Sequence, residues 1–370
     1  MLSIFDTVPR NSDEFNKRFS TEEACTEHFI NWRWPNGFIC PRCPNRAGGY
    51  LLKNRNVWQC MSCKYHCSIR AGTVMDASKK SLRTWFRALF YMIEDKDSCS
   101  ALGLKRRLGL NSYQTAWTWF QKLRENIPID DRPLSGRVEI DVIKVGGKGK
   151  GGGVSGRGAP KLVNVYVAVE CAGRGSGRVK LKISKTDTAE EFAEFLNECV
   201  AKGTIVRTDG EPAIKSLTEM GYFHERIVMA DTKKADKDEK SGKKKRLEAN
   251  LMRIYRVNRG LERILNGTHM GAVAPWRLQG YLNAFAFMFD RKASKLRFSL
   301  FEDLLEACIK RKCRTYKQII SDEKEGFAGY SIGAKRDKGR RVPVKTDRWW
   351  KPVQWPMAWP NNGEDSAWAL

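Results

Sequence analysis

The chain has 370 residues, 41% of them hydrophobic, and carries 67 Lys and Arg against 42 Asp and Glu, a formal net charge of +25. That length exceeds one ordinary domain, and so large a positive excess points to a polyanionic partner, nucleic acid first. No apolar run approaches the roughly 20 residues that span a bilayer, and the start MLSIFDTVPR lacks a signal-peptide pattern. A membrane protein and a small disulfide scaffold are excluded, so the eleven cysteines are expected to ligate metal or pack in cores.

The first sharp feature is Cys40-Pro41-Arg42-Cys43, followed after sixteen residues by Cys60-Met61-Ser62-Cys63. Two CxxC turns that face each other bring four thiolates into a tetrahedron, which is the ligand set of a structural zinc ribbon. The stretch GYLLKNRNVWQ between them reads as a hairpin turning at Asn54-Arg55-Asn56. With four thiolates filling the site, His66 and Cys67 are expected in packing or surface roles.

Next, SLRTWFRALFYMIE from Ser81 reads as a helix, and the segment Ser98 to Asn126 as two helices around Gly109-Leu110-Asn111, the layout of a helix-turn-helix. Ala116, Trp119, Phe120 and Leu123 form the apolar face of its second helix, leaving Tyr113, Gln114, Thr118, Gln121, Lys122 and Arg124 to point outward. Lys105, Arg106, Arg107 and Lys122 suit phosphate contacts, and Gln114 and Gln121 suit base edges. An ordinary helical hairpin with a basic solvated face is the alternative.

After Pro133 the pattern becomes β-branched: strands Val138 to Val145, Leu162 to Glu170 and Val179 to Ile183, a helix Thr188 to Cys199, then a strand Thr204 to Thr208. A glycine-rich loop from Gly146 to Gly158, with Lys148, Lys150 and Arg157, links the first two strands and reads as a mobile basic loop. Residues 231–246 are charged, free of aromatics and expected to be a disordered insertion. Helical periodicity returns over Leu247 to Asn266 and Pro275 to Phe289. The end of the chain is basic and holds Trp349, Trp350, Trp355, Trp359 and Trp368; it reads as a flexible arm or a partner-binding strip.

Asp141 lies inside a strand, where a carboxylate is costly to bury unless it faces a cleft or a cation. Asp209 follows an apolar strand at an exit position. Two carboxylates on adjacent strands could share Mg²⁺, a hard cation that takes oxygen ligands.

These blocks together resemble bacterial insertion-sequence transposases with a zinc ribbon, a helix-turn-helix-like segment and a DDE-type RNase H-like domain, relatives of the eukaryotic Merlin elements. The resemblance runs from about Thr21 to Ile320 and is carried by TEEACTEHFINWRWPNGFICPRC, RAGTVMDASKKSLRTWFRALF, SALGLKRRLGLNSYQTAWTWFQKLR, LSGRVEID, the RTDG around Asp209, and NGTHMGAVAPWRLQGYLNAFAFMFDR. It implies zinc on Cys40, Cys43, Cys60 and Cys63, and Mg²⁺ or Mn²⁺ on Asp141 and Asp209. Double-stranded DNA is the implied partner, bound at element ends and target by a homo-oligomer in the cytoplasm, on the bacterial nucleoid. The family usually continues after its first acid with Glu, Thr and an aromatic residue, where this chain has Val142, Ile143 and Lys144. Its third metal-proximal position falls on Tyr255, with Glu262 where a basic residue is usual, and Glu248 is the nearby carboxylate that a gap in the alignment would bring in. The expected fold class is multidomain, α+β and α/β: residues 1–75 an N-terminal helix and zinc ribbon, 76–132 the helix-turn-helix-like segment, 133–322 an RNase H-like mixed sheet, and 323–370 a disordered Trp-rich tail. The implied function is cleavage and transfer of DNA strands at terminal inverted repeats. The alternative is a co-opted, catalytically impaired DNA-binding protein.

Overall fold

The computed structural model describes residues 9, 11–43, 48–94, 99–145, 163–173, 175–184, 188–209, 217–227, 251–269, 273–290 and 299–321. The glycine-rich loop, the charged insertion, Glu248 and the Trp-rich tail lie outside them. Among the described residues no helix is long and apolar enough to cross a membrane.

The N-terminal part opens with α1 (Ser12–Arg18) and α2 (Glu22–Arg33), each started by a side chain, Asn11 or Thr21, that accepts a first-turn N–H. A three-stranded antiparallel sheet follows, β1 (Gly49–Leu52), β2 (Val57–Cys60) and β3 (His66–Ser68). The hairpin turn falls at the expected place, and β3 is an addition that three residues of sequence were too short to announce. Helices α3 (Leu82–Glu94), α4 (Ala101–Leu108) and α5 (Tyr113–Glu125) come next. The first amides of α3 donate to the carboxylate of Glu22 on α2, Leu82 N at 2.7 Å and Arg83 N at 2.9 Å, so an anion from elsewhere satisfies that helix end.

The second part is a five-stranded mixed sheet in the order β6-β5-β4-β7-β8. Strands β4 (Arg137–Val145), β5 (Val163–Ala172) and β6 (Gly175–Ile183) pair antiparallel, whereas β7 (Ile205–Thr208) and β8 (Phe223–Arg226) run parallel to β4. Strand β8, four residues with a polar centre, is absent from the sequence reading. Alternation along β5 sorts the two faces: Val163, Val165, Val167 and Val169 join one apolar cluster, Tyr166 and Ala168 the other. Helix α6 (Ala189–Cys199) covers the second face. The first is covered by α7 (Met252–Glu262), which continues into a π-helical turn at Arg263–Thr268, and by α8 (Pro275–Asp290). Gly260 of α7 is required by packing, since a Cβ there would stand 2.9 Å from the Phe285 ring.

The last helix, α9 (Ser299–Lys310), leaves the sheet and packs among the N-terminal helices. Phe301, Leu304, Leu305 and Cys308 share one core with Phe15, Phe29, Trp85, Phe86 and Phe120, and Val74 N donates to Cys308 O at 2.9 Å. Segments far apart in sequence thereby close a single helical core.

Helix α5 also packs on α8, which corrects its outward face. Thr118, Gln121 and Arg124 are buried, the last two only 4% and 5% exposed. The Arg124 guanidinium lies 3.9 Å from the Tyr281 ring centroid and 4.9 Å from that of Phe120, a contact that favours a cation over aromatic faces. Arg277 of α8 sits 4.5 Å over Trp117. His269 meets Tyr281 edge-on at 4.8 Å, and burial, helped by the Arg124 charge, pushes its imidazole down to about 3.

His269 therefore stays neutral in the fold while the unfolded chain takes up a proton near its ordinary value of 6.5. The stability this residue contributes is present above pH 6.5 and is lost as pH falls toward 3, about 2 kcal/mol by pH 5. Denaturant titrations at pH 7 and pH 5 should show His269→Phe flattening the decline by about that amount.

Candidate functional site

The four cysteines come together. Cys40 and Cys43 on one turn face Cys60 and Cys63 on the other, with Sγ–Sγ distances of 3.7 Å for Cys40–Cys63 and 3.6 Å for Cys43–Cys60, and all four sulfurs lie within 4.8 Å of one another. A zinc bound at about 2.3 Å to four sulfurs holds them about 3.8 Å apart, so the donors suit that ion in both chemistry and spacing. The backbone N–H groups of Cys63 and Ser62, the Cys63 one first, hold the Cys60 thiol down to about 6. Beneath the site Phe38 stacks on Trp58 at 5.1 Å and meets Trp34 edge-on at 5.0 Å. Cys67 is buried there as packing and its thiol is pushed up by burial, while His66 is exposed.

In the helix-turn-helix-like pair, Ser100 caps α4 by accepting from Gly103 N at 3.0 Å. Gly109, at φ 60°, ends it in a left-handed turn that glycine adopts without steric cost. Arg106, Arg107, Tyr113 and Gln114 are exposed, and Arg107 also lies 5.1 Å over the Tyr91 ring. Lys105 is half-buried. Lys122 is half-buried and its Nζ donates to Cys313 Sγ at 2.9 Å. Gln121 is buried, which withdraws it from any DNA-reading face.

Asp141 lies mid-strand in β4 on the face shared with Glu139 and Ile143, the face that α7 and α8 cover. The parallel register pairs Val138 with Val206 and Glu139 with Arg207. Asp141 and Asp209 each stand two residues beyond that last pair, Asp141 within β4 and Asp209 just past β7. Asp141 is half-buried, and Asp209 is exposed just past the end of β7. Among the described residues no third His, Cys, Asp or Glu gathers with these two.

Helix α7 turns Ile254, Val257 and Leu261 into the core. Tyr255, the aligned third position, faces out and is 44% exposed. Arg256, Arg259 and Glu262 are exposed beside it. Asn258, half-buried, shares the inward stripe.

Glu139, Arg207, Arg253 and Asn258 went unnoticed in the sequence. Glu139 is fully buried, accepts the first amides of α7, Arg253 N at 2.8 Å and Ile254 N at 3.2 Å, and meets Arg253 Nη1 at 2.7 Å and Arg207 Nη1 at 3.4 Å. A Glu-x-Asp spacing hinted at it, but nothing in that spacing tells a ligand from a cap.

Residues 133–290 match the family model for the ISXO2-like transposase domain, and residues 20–66 that for the transposase zinc-ribbon domain. A Halobacterium salinarum protein, described as an uncharacterized protein in transposable element ISH50, is 28% identical over 230 residues, 58% of this chain and 76% of that one. Among solved structures, the cryoEM structure of the simian T-cell lymphotropic virus intasome in complex with PP2A regulatory subunit B56 gamma is similar at 14% identity, covering 50% of this chain and 64% of the other. Its TM-score of 0.27 is too low to bear on the fold.

With four thiols in place the ribbon should hold about one zinc per chain by metal analysis. Cys60→Ser should lose it and unravel the ribbon, seen as new proteolysis between residues 34 and 75; full zinc retention would refute the ligand set.

Both matched segments belong to transposase domain families, and the chain has the make-up of an insertion-sequence transposase with an N-terminal zinc ribbon.

Proposed function

We propose that the protein binds the terminal repeats of an insertion sequence and cleaves and transfers DNA strands at Asp141 and Asp209. The observation that supports this reading is the register of β4 and β7, in which Glu139 pairs with Arg207 and each acid follows two residues later on its own strand or just past it. Two carboxylates on neighbouring strands offer the hard oxygen donors that suit Mg²⁺ or Mn²⁺. Such ions, when bound, lower the barrier to in-line phosphoryl transfer by activating the attacking oxygen and stabilising the leaving one. The protein's own contribution is to fix the backbone of Asp141, which pairs with Val167 of β5, while its carboxylate accepts from Val142 N at 2.7 Å.

Asn258 suits the third position better than Tyr255. Asn258 comes four residues after Ile254, about 6 Å of helix, as Asp141 comes two after Glu139, about 6.6 Å of strand. Asn258 thus sits one turn past the residue whose N–H meets Glu139, on the inward stripe of α7. An amide oxygen is a neutral donor, whereas a phenol with a pKa near 10 is a poor one at neutral pH.

A second reading, a co-opted DNA-binding protein, is favoured by one observation: among the described residues the two acids have no third carboxylate with them. DNA docking would rest on the exposed α4–α5 surface in either case, with Arg106 and Arg107 on phosphates and Gln114 at base edges. A synaptic complex of two element ends would bring at least two copies together.

Asp141→Asn and Asp209→Asn should each abolish Mn²⁺-dependent cleavage of an element-end duplex and leave its Kd within twofold. Asn258→Ala should cut the rate at least tenfold while Tyr255→Phe leaves it unchanged. A wild-type protein that binds verified terminal repeats but never cuts them would establish the second reading.

Replacing Arg106 and Arg107 by Ala should weaken binding to every duplex and lower the slope of log K against log salt by about 1.8, since each lost phosphate contact releases fewer counterions. Gln114→Ala should shift preference among sequences at unchanged slope. Equal isotherms for these variants and the wild type would remove α4 and α5 from the interface.

A further inference from the structure

One buried carboxylate touches all three elements that supply the reacting groups. Glu139 stands on β4 two residues before Asp141, and its Oε1 meets Arg207, two residues before Asp209 on β7. The same oxygen takes Arg253 Nη1 of α7 at 2.7 Å, and Oε2 takes the amides of Arg253 and Ile254. The Arg253 guanidinium reaches further, donating to Gly175 O at 2.8 Å and to Gly173 O in the β5–β6 turn. Arg207 in turn lies 3.4 Å from Glu225 of β8. Glu225 also lies 3.7 Å from Arg137, so three guanidinium groups surround two carboxylates, and both oxygens of Glu139 are committed to donors.

We propose that Glu139 is a positioning residue, a latch that holds the first turn of α7 on β4 and so sets where α7 lies along the face that carries Asp141. Its role as a third metal ligand is disfavoured by the same contacts, because a cation would have to displace two N–H groups and approach two arginines. The latch works through geometry. An α-helix is a stiff rod, so the placement of its N-terminal turn decides which residue stands level with Asp141. A carboxylate is the right group for the purpose, since the helix N-terminus carries partial positive charge and free N–H donors. Arg207 adds the matching constraint on β7, tying the two strands together one step before each acid. The proposal rests on the reading of Asp141 and Asp209 as the chemical pair.

The test is Glu139→Gln in the full chain, which keeps the shape and removes the charge, read by hydrogen exchange and by cleavage. The amides of the first turn of α7 should exchange at least tenfold faster while those of β5 keep wild-type protection. Cleavage of an element-end duplex should fall at least a hundredfold and the half-saturating Mn²⁺ concentration should rise at least fivefold, with DNA Kd unchanged within twofold. Wild-type exchange in α7 would overturn the latch, as would cleavage at the wild-type rate and Mn²⁺ dependence. Faster exchange throughout both α7 and β5 would also overturn it, in favour of a merely structural role. If the wild-type chain itself cuts no DNA, the functional reading fails by that result alone, and the exchange pattern still decides whether Glu139 holds α7.

Discussion

A charge removed from water is among the most demanding things a fold can contain, and Glu139 is such a charge. A carboxylate as fully buried as this one would cost several kcal/mol if it were charged and left alone. Here the cost is offset by two arginines and two helix-terminal amides. The arrangement is one-sided: breaking a buried ion pair by removing one member costs about 3–5 kcal/mol. The neighbouring features follow from it. Strands β4 and β7 are held in a fixed register, α7 begins at a defined point on the sheet, and the two aspartates emerge one step further along.

The second constraint is the seam between α5 and α8. A helix-turn-helix that stood free on a linker would offer most of its second helix to a DNA groove. In this chain α5 from Trp117 onward makes protein contacts, Trp117 under Arg277 and Arg124 against Tyr281 and Phe120. What is left for a partner is the turn and the start of α5, with Tyr113 and Gln114 exposed, and the basic end of α4 before it. The exposed start of α5 is thereby fastened to a helix of the sheet domain, α8, which covers the same sheet face as α7.

The zinc ribbon shows the opposite economy. Its sheet is three short strands, too few to bury an independent core. The four thiols and the Trp34, Phe38 and Trp58 cluster make up the deficit. Metal ligation replaces apolar area, and the metal's free energy becomes folding free energy for that segment.

Sequence alone settled whatever depends on local spacing. The paired CxxC turns, the helix break at Gly109 and the alternating strands were all legible, because each is a pattern within a few residues whose chemistry does not depend on distant partners. Strands β3 and β8 were not, being too short and too polar for periodicity to register. The outward face assigned to Gln121 and Arg124 failed for a different reason: helical periodicity tells which residues share a face, but not how many faces are covered, and α8 covers a second one. Only the tertiary structure could assign Glu139, since a carboxylate two residues from an acid has the same spacing whether it binds a cation or caps a helix more than a hundred residues away. That choice is made by where the N-terminus of α7 comes to rest, and no local pattern in the chain encodes it.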